Sequence, residues 1–202
     1  MLVCLRSTIE ISAKCRHMLT DRLIVLSWAI FCGYWALGSL SARASIGRNH
    51  WLRWYLPVRF IVPAVALGYV ALVVRKLPQH DSPVVGVRIM GAVLCTVGVA
   101  IAIRRACLGD SWGMPMTQRE IPHLVTNGPY ACVRHPIYSG VLLGIIGTML
   151  AINPTTLLGW PLIALAFFGI SAIKEERDML KIFPEQYRAY MSRTKRFIPF
   201  VW

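Results

Sequence analysis

Gly128-Pro129-Tyr130-Ala131-Cys132-Val133-Arg134-His135-Pro136-Ile137-Tyr138-Ser139-Gly140 lies between two apolar runs, and its reading decides the rest of the chain. Gly128-Pro129 is a turn signal, since Pro fixes φ and Gly lifts the steric limit. Pro136 suits the first position of a helix, where the missing N–H costs nothing. That puts His135 at the helix cap and Tyr138 about one turn beyond it. The N–H groups of a helix start favour anions, and Arg134 adds a fixed positive charge beside them. The stretch reads as a binding loop leading into a membrane helix. A plain interfacial anchor is the alternative, because Arg, His and Tyr all gather at membrane boundaries.

Working outward, residues 136–152 are apolar, Asn153-Pro154 marks a reversal, and residues 155–173 are apolar again. These two runs predict a helical hairpin. Upstream, residues 23–40, 57–74 and 83–103 form three further apolar runs. At about 1.5 Å per residue, each nears the roughly 30 Å of a hydrocarbon core. Composition agrees: of 202 residues, 56% are hydrophobic and 15% charged, where soluble domains average about 25% charged. The expectation is an all-α, polytopic integral membrane protein with about five transmembrane helices. It is read as a single domain over 1–202: an N-terminal segment 1–22, three spans within 23–103, and a region 104–202 with two spans and a tail. Charges interrupt residues 1–22, which argues for an interfacial helix or lead-in and against a signal peptide. Arg88, near the start of the third span, is expected to snorkel or to face the bundle interior.

The formal net charge is +13. In such a chain that excess points to cytoplasmic loops and anionic lipid headgroups; no nucleic-acid motif accompanies it. Placing the C-terminus inside puts fourteen basic residues on that side and six on the other. The positive-inside rule therefore predicts a cytoplasmic C-terminus. The six cysteines form no CxxC pair, so no disulfide framework is expected.

No helix breaker separates residue 173 from Lys174, so the fifth helix is expected to run past the membrane. Met179, Leu180, Phe183, Tyr187 and Tyr190 recur at helical spacing, as a packing face does. The apolar end from Phe197 to Trp202 is expected to dock on the bundle or the bilayer. Glu175 and Glu176 stand at the membrane boundary, where an acidic group carries a cost. One is read as solvated and balanced by Lys174 and Arg177, the other as a ligand for a cationic or hydroxylated group. The long polar loop, the Arg134-His135-Pro136 helix start and Glu175 would then close one cytoplasmic pocket.

Gly128-Pro129-Tyr130, Arg134-His135-Pro136-Ile137-Tyr138, Gly140, Glu175-Glu176, Leu180, Phe183, Tyr187, Tyr190, Arg196 and Pro199 together resemble the isoprenylcysteine carboxyl methyltransferase family. That family belongs to a wider group of membrane methyltransferases that includes the phospholipid N-methyltransferases. The resemblance covers roughly residues 104–202. It implies S-adenosyl-L-methionine as methyl donor, in a cytoplasmic-side pocket formed by the 104–135 loop, the last two spans and the C-terminal helix. Cofactor contacts carry over to Pro122, His123, Leu124, Val125, Tyr130, His135, Pro136, Ile137, Tyr138 and Glu175. Glu175 and Arg134 are the implied catalytic groups. The donor's carboxylate suits Arg134 or helix N–H groups, and its sulfonium suits Tyr138 or Glu175. Leu124 and Val125 offer apolar walls for adenine.

Two positions depart from the family. Pro184 stands where Gly is common, and Ser171 stands where the eukaryotic enzymes place a substrate-linked Arg. No metal is expected, since His123 and His135 lack a third ligand at suitable spacing. The implied acceptor is a lipophilic molecule from the bilayer, an isoprenylcysteine-like carboxylate being favoured. An acceptor needing a base would find Glu175, Glu176 or His135 nearest. Gly140, Gly144 and Gly147 either let its chain pass or serve helix packing. The rival readings are a sterol-reductase-like nicotinamide enzyme and a non-catalytic membrane scaffold.

Overall fold

The computed structural model describes residues 18–34, 37, 68, 84–104, 124, 126–152 and 159–201. Helix α1 covers 18–34. Helix α2 is Val85–Arg104. After a 3-10 turn at Gly128–Ala131 comes α3, Pro136–Ile152. Helix α4 is Gly159–Ile182 and α5 is Pro184–Arg193. The described residues are thus all-α, apart from one isolated parallel bridge between Val133 and Lys195. All of the expected second span at 57–74 except residue 68, and most of the 104–135 loop, lie outside the described residues.

Sequence boundaries hold well at three helices. The runs at 83–103 and 136–152 become α2 and α3 nearly residue for residue. The fifth run continues as expected through Lys174 to Ile182. Pro184 then opens α5 at its first turn, where Pro is tolerated. The first helix begins no later than residue 18, so it includes Asp21 and Arg22, which the charge pattern had placed in a lead-in. Its charge is tolerated because Asp21 pairs with the Arg88 guanidinium of α2. Arg88 Nε also donates to Thr20 Oγ1 at 2.9 Å, and Arg88 is buried. Of the two readings for Arg88, the bundle interior is the one observed.

Thr20 meets Arg88 and Ser27 meets Thr96, so α1 and α2 run parallel, as first and third spans would. Helix α3 runs back against α2. Gly91 and Gly98 of α2 face Gly147 and Gly140 of α3 so closely that a Cβ has no room. One on Gly98 would sit 2.5 Å from the Gly140 carbonyl oxygen, and one on Gly147 would sit 2.3 Å from the Cys95 nitrogen. Gly144 turns instead to the Trp28 ring of α1. The small-residue face of α3 is therefore consumed by helix packing and leaves no path there for an acceptor chain.

Two apolar clusters fill the α1–α2–α3 core. One holds Ile24, Ala92, Cys95, Ala151 and Ile152. The other holds Phe31, Val99, Ala102 and Val141, with Ile137 and Phe168 packed against it. Polar groups inside are satisfied: Trp28 Nε1 donates to Thr148 Oγ1 at 2.9 Å, and that hydroxyl donates to the Gly144 carbonyl at 2.8 Å. The outer faces are apolar too. Leu26, Ile30, Val93, Leu162, Ile163, Phe167 and Ile170 are all more than half exposed, a surface suited to lipid. Among the described residues, Val85–Ile103 has the length and apolarity to cross a membrane, with a mean hydropathy of 2.1; Pro136–Ile152 is apolar but shorter. The five-span count extends over residues outside the described set.

Candidate functional site

The site begins at the turn before α3. Gly128 takes φ 63, a left-handed conformation that glycine adopts without strain. Pro129 is the second residue of the 3-10 turn, and its carbonyl accepts from Cys132 and Val133 nitrogens, both at 3.2 Å. The Tyr190 hydroxyl of α5 donates to the Tyr130 carbonyl at 2.7 Å and anchors the turn. His135 caps α3 from just outside, and its carbonyl accepts from Ser139 N at 3.0 Å.

The C-terminal segment then lies along this helix start. Arg134 N donates to the Lys195 carbonyl at 2.8 Å, and His135 N to the Arg196 carbonyl at 3.1 Å. Ser139 Oγ donates to the Phe197 carbonyl at 2.6 Å. Phe197 is 2% exposed, its ring 5.9 Å from that of His135. The apolar end thus docks on the bundle at Phe197, while Ile198, Phe200 and Val201 remain exposed.

Three rings are stacked. The His135 and Tyr138 ring centroids lie 5.4 Å apart with planes 7° from parallel. Tyr138 stacks in turn on Phe168 of α4, at 4.7 Å. The Tyr138 hydroxyl donates to Glu175 Oε1 at 2.5 Å. Helices α3 and α4 thus meet as the expected antiparallel hairpin. Phe168 and Glu175 are seven residues apart on α4, two turns, and so share a face. That spacing was visible in the sequence, yet Phe168 was not singled out there.

The two acids divide the charge. Glu175 Oε2 is 3.4 Å from His135 Nδ1, and its side chain is 22% exposed. Glu176 is buried, and its Oε1 lies 2.9 Å from Arg134 Nε and 3.3 Å from His135 Nε2. Arg196 grips Glu176 through both Nε (3.1 Å) and Nη2 (2.6 Å). Neither acid is a solvated partner of Lys174 or Arg177, which corrects the expectation for one of them. Burial opposes ionisation of Glu176, but hydrogen bonds from His135, Arg196 and Arg134 outweigh it and hold the carboxyl far below its usual range. Burial likewise opposes the His135 imidazolium, and hydrogen bonds to Glu175 and Glu176 outweigh that too, leaving its pKa raised.

Arg134 differs from expectation as well. Its guanidinium donates to Glu176, to the Met191 carbonyl at 3.3 Å and to the Thr194 carbonyl. With these acceptors on it, and its backbone N–H bonded to Lys195, Arg134 is not an open cation for a substrate anion. It serves instead to tie α3, α4 and the C-terminal segment together. Of the expected cofactor residues, Tyr130, His135, Pro136 and Tyr138 gather at the helix start with Glu175 beside them. Ile137 turns into the α1–α2–α3 core. Leu124 is half-buried. Pro122, His123 and Val125 lie outside the described residues. Arg196 and Phe197 belong to the site although only the tail's docking was expected. Among the described residues, no three His, Cys, Asp or Glu side chains gather as a metal set.

Residues 87–181 match the model of the isoprenylcysteine carboxyl methyltransferase (ICMT) family. Protein-S-isoprenylcysteine O-methyltransferase B of Arabidopsis thaliana is 36% identical over 86 residues, 42% of this chain and 44% of that one. The nickel-cobalt-cadmium resistance protein NccN of Alcaligenes xylosoxydans xylosoxydans is 33% identical over 112 residues, 54% of this chain and 52% of that one. The match thus spans about half the length of these curated relatives. A solved structure of a eukaryotic intramembrane Ras methyltransferase aligns with a TM-score of 0.42 and 24% identity, covering 83% of this chain and 52% of that chain.

Proposed function

The chain belongs, through residues 87–181, to the isoprenylcysteine carboxyl methyltransferase family, and on that premise we propose that it transfers a methyl group from S-adenosylmethionine to a lipophilic acceptor drawn from the bilayer. One observation carries the reading: the His135–Tyr138–Phe168 ring stack ends at the Glu175 carboxylate. A part-exposed carboxylate beside stacked rings suits a sulfonium cation, and Glu175, 22% exposed, offers one, so the residues present fit this donor. When bound, the donor supplies an electrophilic methyl group on that sulfonium.

The chain's own part is to hold and align. Tyr138 and Glu175 form the cation-favouring wall. His135 presents a ring fixed at both edges, and Phe197 closes the apolar side. Methyl transfer of this kind needs in-line approach and exclusion of water more than it needs proton transfer. With its imidazole paired to two carboxylates, His135 is poorly placed to act as a base. An acceptor that arrives ionised therefore fits best, a carboxylate first among such groups.

The acceptor is proposed by class only. The likeness to NccN reaches over a longer stretch than that to the Arabidopsis prenylcysteine enzyme. Ser171, one turn before Glu175, also leaves no cation where the eukaryotic enzymes have one. In the experiment, purified protein, donor labelled in its methyl group and a series of acceptor acids of increasing tail length are combined in mixed micelles. Label should enter the extractable lipid fraction, and kcat/KM at equal membrane-bound acceptor should rise with tail length until the tail no longer fits. Each buried CH₂ contributes up to about 0.8 kcal/mol. Good turnover of a short soluble acceptor with no dependence on tail length contradicts the lipophilic class.

A further inference from the structure

We propose that Glu176 is a positioning residue of this site: it fixes the His135 ring against Tyr138 and ties the ring's orientation to the docked C-terminal segment. The inference rests on the methyltransferase reading for the meaning of the site, but its geometry stands apart from any ligand. The His135 ring is held at opposite edges, Nδ1 by Glu175 and Nε2 by Glu176, at 3.4 and 3.3 Å. With both carboxylates in place the imidazolium has an acceptor at each nitrogen and no reason to rotate. Glu176 is the partner that cannot move. It is 4% exposed, and two guanidiniums fix its oxygens, Arg134 from the helix start and Arg196 from the tail. Glu175 is more exposed and is shared with the Tyr138 hydroxyl.

The charged and titratable groups facing this ring come from each packed element: Tyr138 of α3, Glu175 and Glu176 of α4, and Arg134 and Arg196 on the far side of Glu176. Arg196 holds Glu176 and, through its carbonyl, the His135 N–H. A tail that lifts away therefore removes a backbone acceptor from His135 and a cation from Glu176 in one step. Glu176 sits where these two effects meet. The family resemblance singles out Glu175 and not Glu176, because nothing local in the sequence reveals that Arg196, twenty residues on, returns to Glu176.

The test is a histidine titration by NMR on the full chain, with ring-labelled histidine and the His135 signal assigned by His135→Gln. The chain has five histidines. In the wild type, the His135 midpoint should lie above the ordinary value. In Glu176→Gln it should fall, because a carboxylate favouring the imidazolium is gone, and Glu176→Asp should recover part of the fall. If Glu176→Gln does not fold, the charge-balanced pair Glu176→Gln with Arg196→Gln serves for the same measurement. Affinity for S-adenosylmethionine is then followed against pH. Its pH dependence should move down in the Gln variant by the same shift as the His135 midpoint. A purely structural Glu176 lowers the melting temperature and, through its lost charge, the His135 midpoint, but leaves the affinity profile where it was. A midpoint unchanged in the folded variant overturns the proposal, as does a shifted midpoint with an unshifted affinity profile. If the wild type binds no donor at any pH, the methyltransferase reading fails, while an unchanged His135 midpoint in the folded variant still overturns the role of Glu176 at the ring.

Discussion

Glu175 and Glu176 are sequence neighbours with separate tasks, because a helix turns each residue about 100° from the last. Glu175 meets the Tyr138 hydroxyl and one edge of His135; Glu176 meets Arg134, Arg196 and the other edge. Glu176→Ala leaves two cations without their carboxylate at a buried site. Breaking such a pair typically costs about 3–5 kcal/mol, which denaturant unfolding should detect as a loss of folded protein. Arg134→Ala should cost a similar amount. The pH dependence has two signs. Glu176 has a depressed folded pKa, so its stabilisation is present above the ordinary carboxylate range and is lost as pH falls below it. His135 has a raised folded pKa, so its stabilisation is full below its ordinary value and is lost as pH rises through the raised one. Melting temperature against pH should therefore peak between those limits. Tyr187 and Tyr190 are both buried but respond differently. Tyr190→Phe removes the hydrogen bond to the Tyr130 carbonyl, worth about 1 kcal/mol. For the Tyr187 hydroxyl no hydrogen bond exists among the described residues, and burial, with Glu176 adding to it, pushes its pKa up. Tyr187→Phe should leave the unfolding midpoint unchanged or raise it.

At the scale of elements, the α2–α3 contact is the most demanding in the described fold. Gly98→Ala or Gly147→Ala would drive a Cβ into opposing backbone. Overpacking of this kind costs about 1–3 kcal/mol, and larger side chains at either position should abolish folding. Gly33→Ala and Gly169→Ala meet nothing within 4 Å. In a helix that exchange is favourable by up to about 1 kcal/mol, so both variants should match or exceed the wild type in thermal unfolding. The elements themselves were largely legible beforehand. Pro136 announced the start of α3, and the lack of a breaker at Lys174 announced a continuous α4. The start of α1 was not legible, because Asp21 looks like a lead-in charge until its partner Arg88, far along the chain, is known. The site was half legible for the same reason. His135, Tyr138 and Glu175 announce themselves by residue type at a helix start and a span end. Phe168 carries no chemical signal, and Arg134 reads as an open cation because local sequence does not disclose that Glu176 and two carbonyls occupy it.

Across the whole molecule, the start of α3, the second half of α4 and the docked tail meet at one end of the bundle, where α2 also ends. From the charge count we propose that this end faces the cytoplasm. With single-cysteine variants in intact cells, a membrane-impermeant thiol reagent should label Cys4 or Cys15 before Cys107 or Cys132, and permeabilisation should reverse the order for Cys132, which is exposed. Rapid labelling of Cys132 from outside would invert the topology. Under the proposed activity, a donor from the cytosol and an acceptor from the bilayer would meet at the ring stack. The most direct measurement is calorimetric titration of S-adenosylmethionine into the purified protein in detergent, alongside His135→Ala, Glu175→Ala and Gly169→Ala. The account predicts saturable binding to the wild type and to Gly169→Ala. It predicts a loss of about tenfold to a hundredfold in the His135 and Glu175 variants, as removal of a charge-assisted hydrogen bond of about 1.5–3 kcal/mol requires. No binding to a folded wild type, or equal binding by all four proteins, would contradict it.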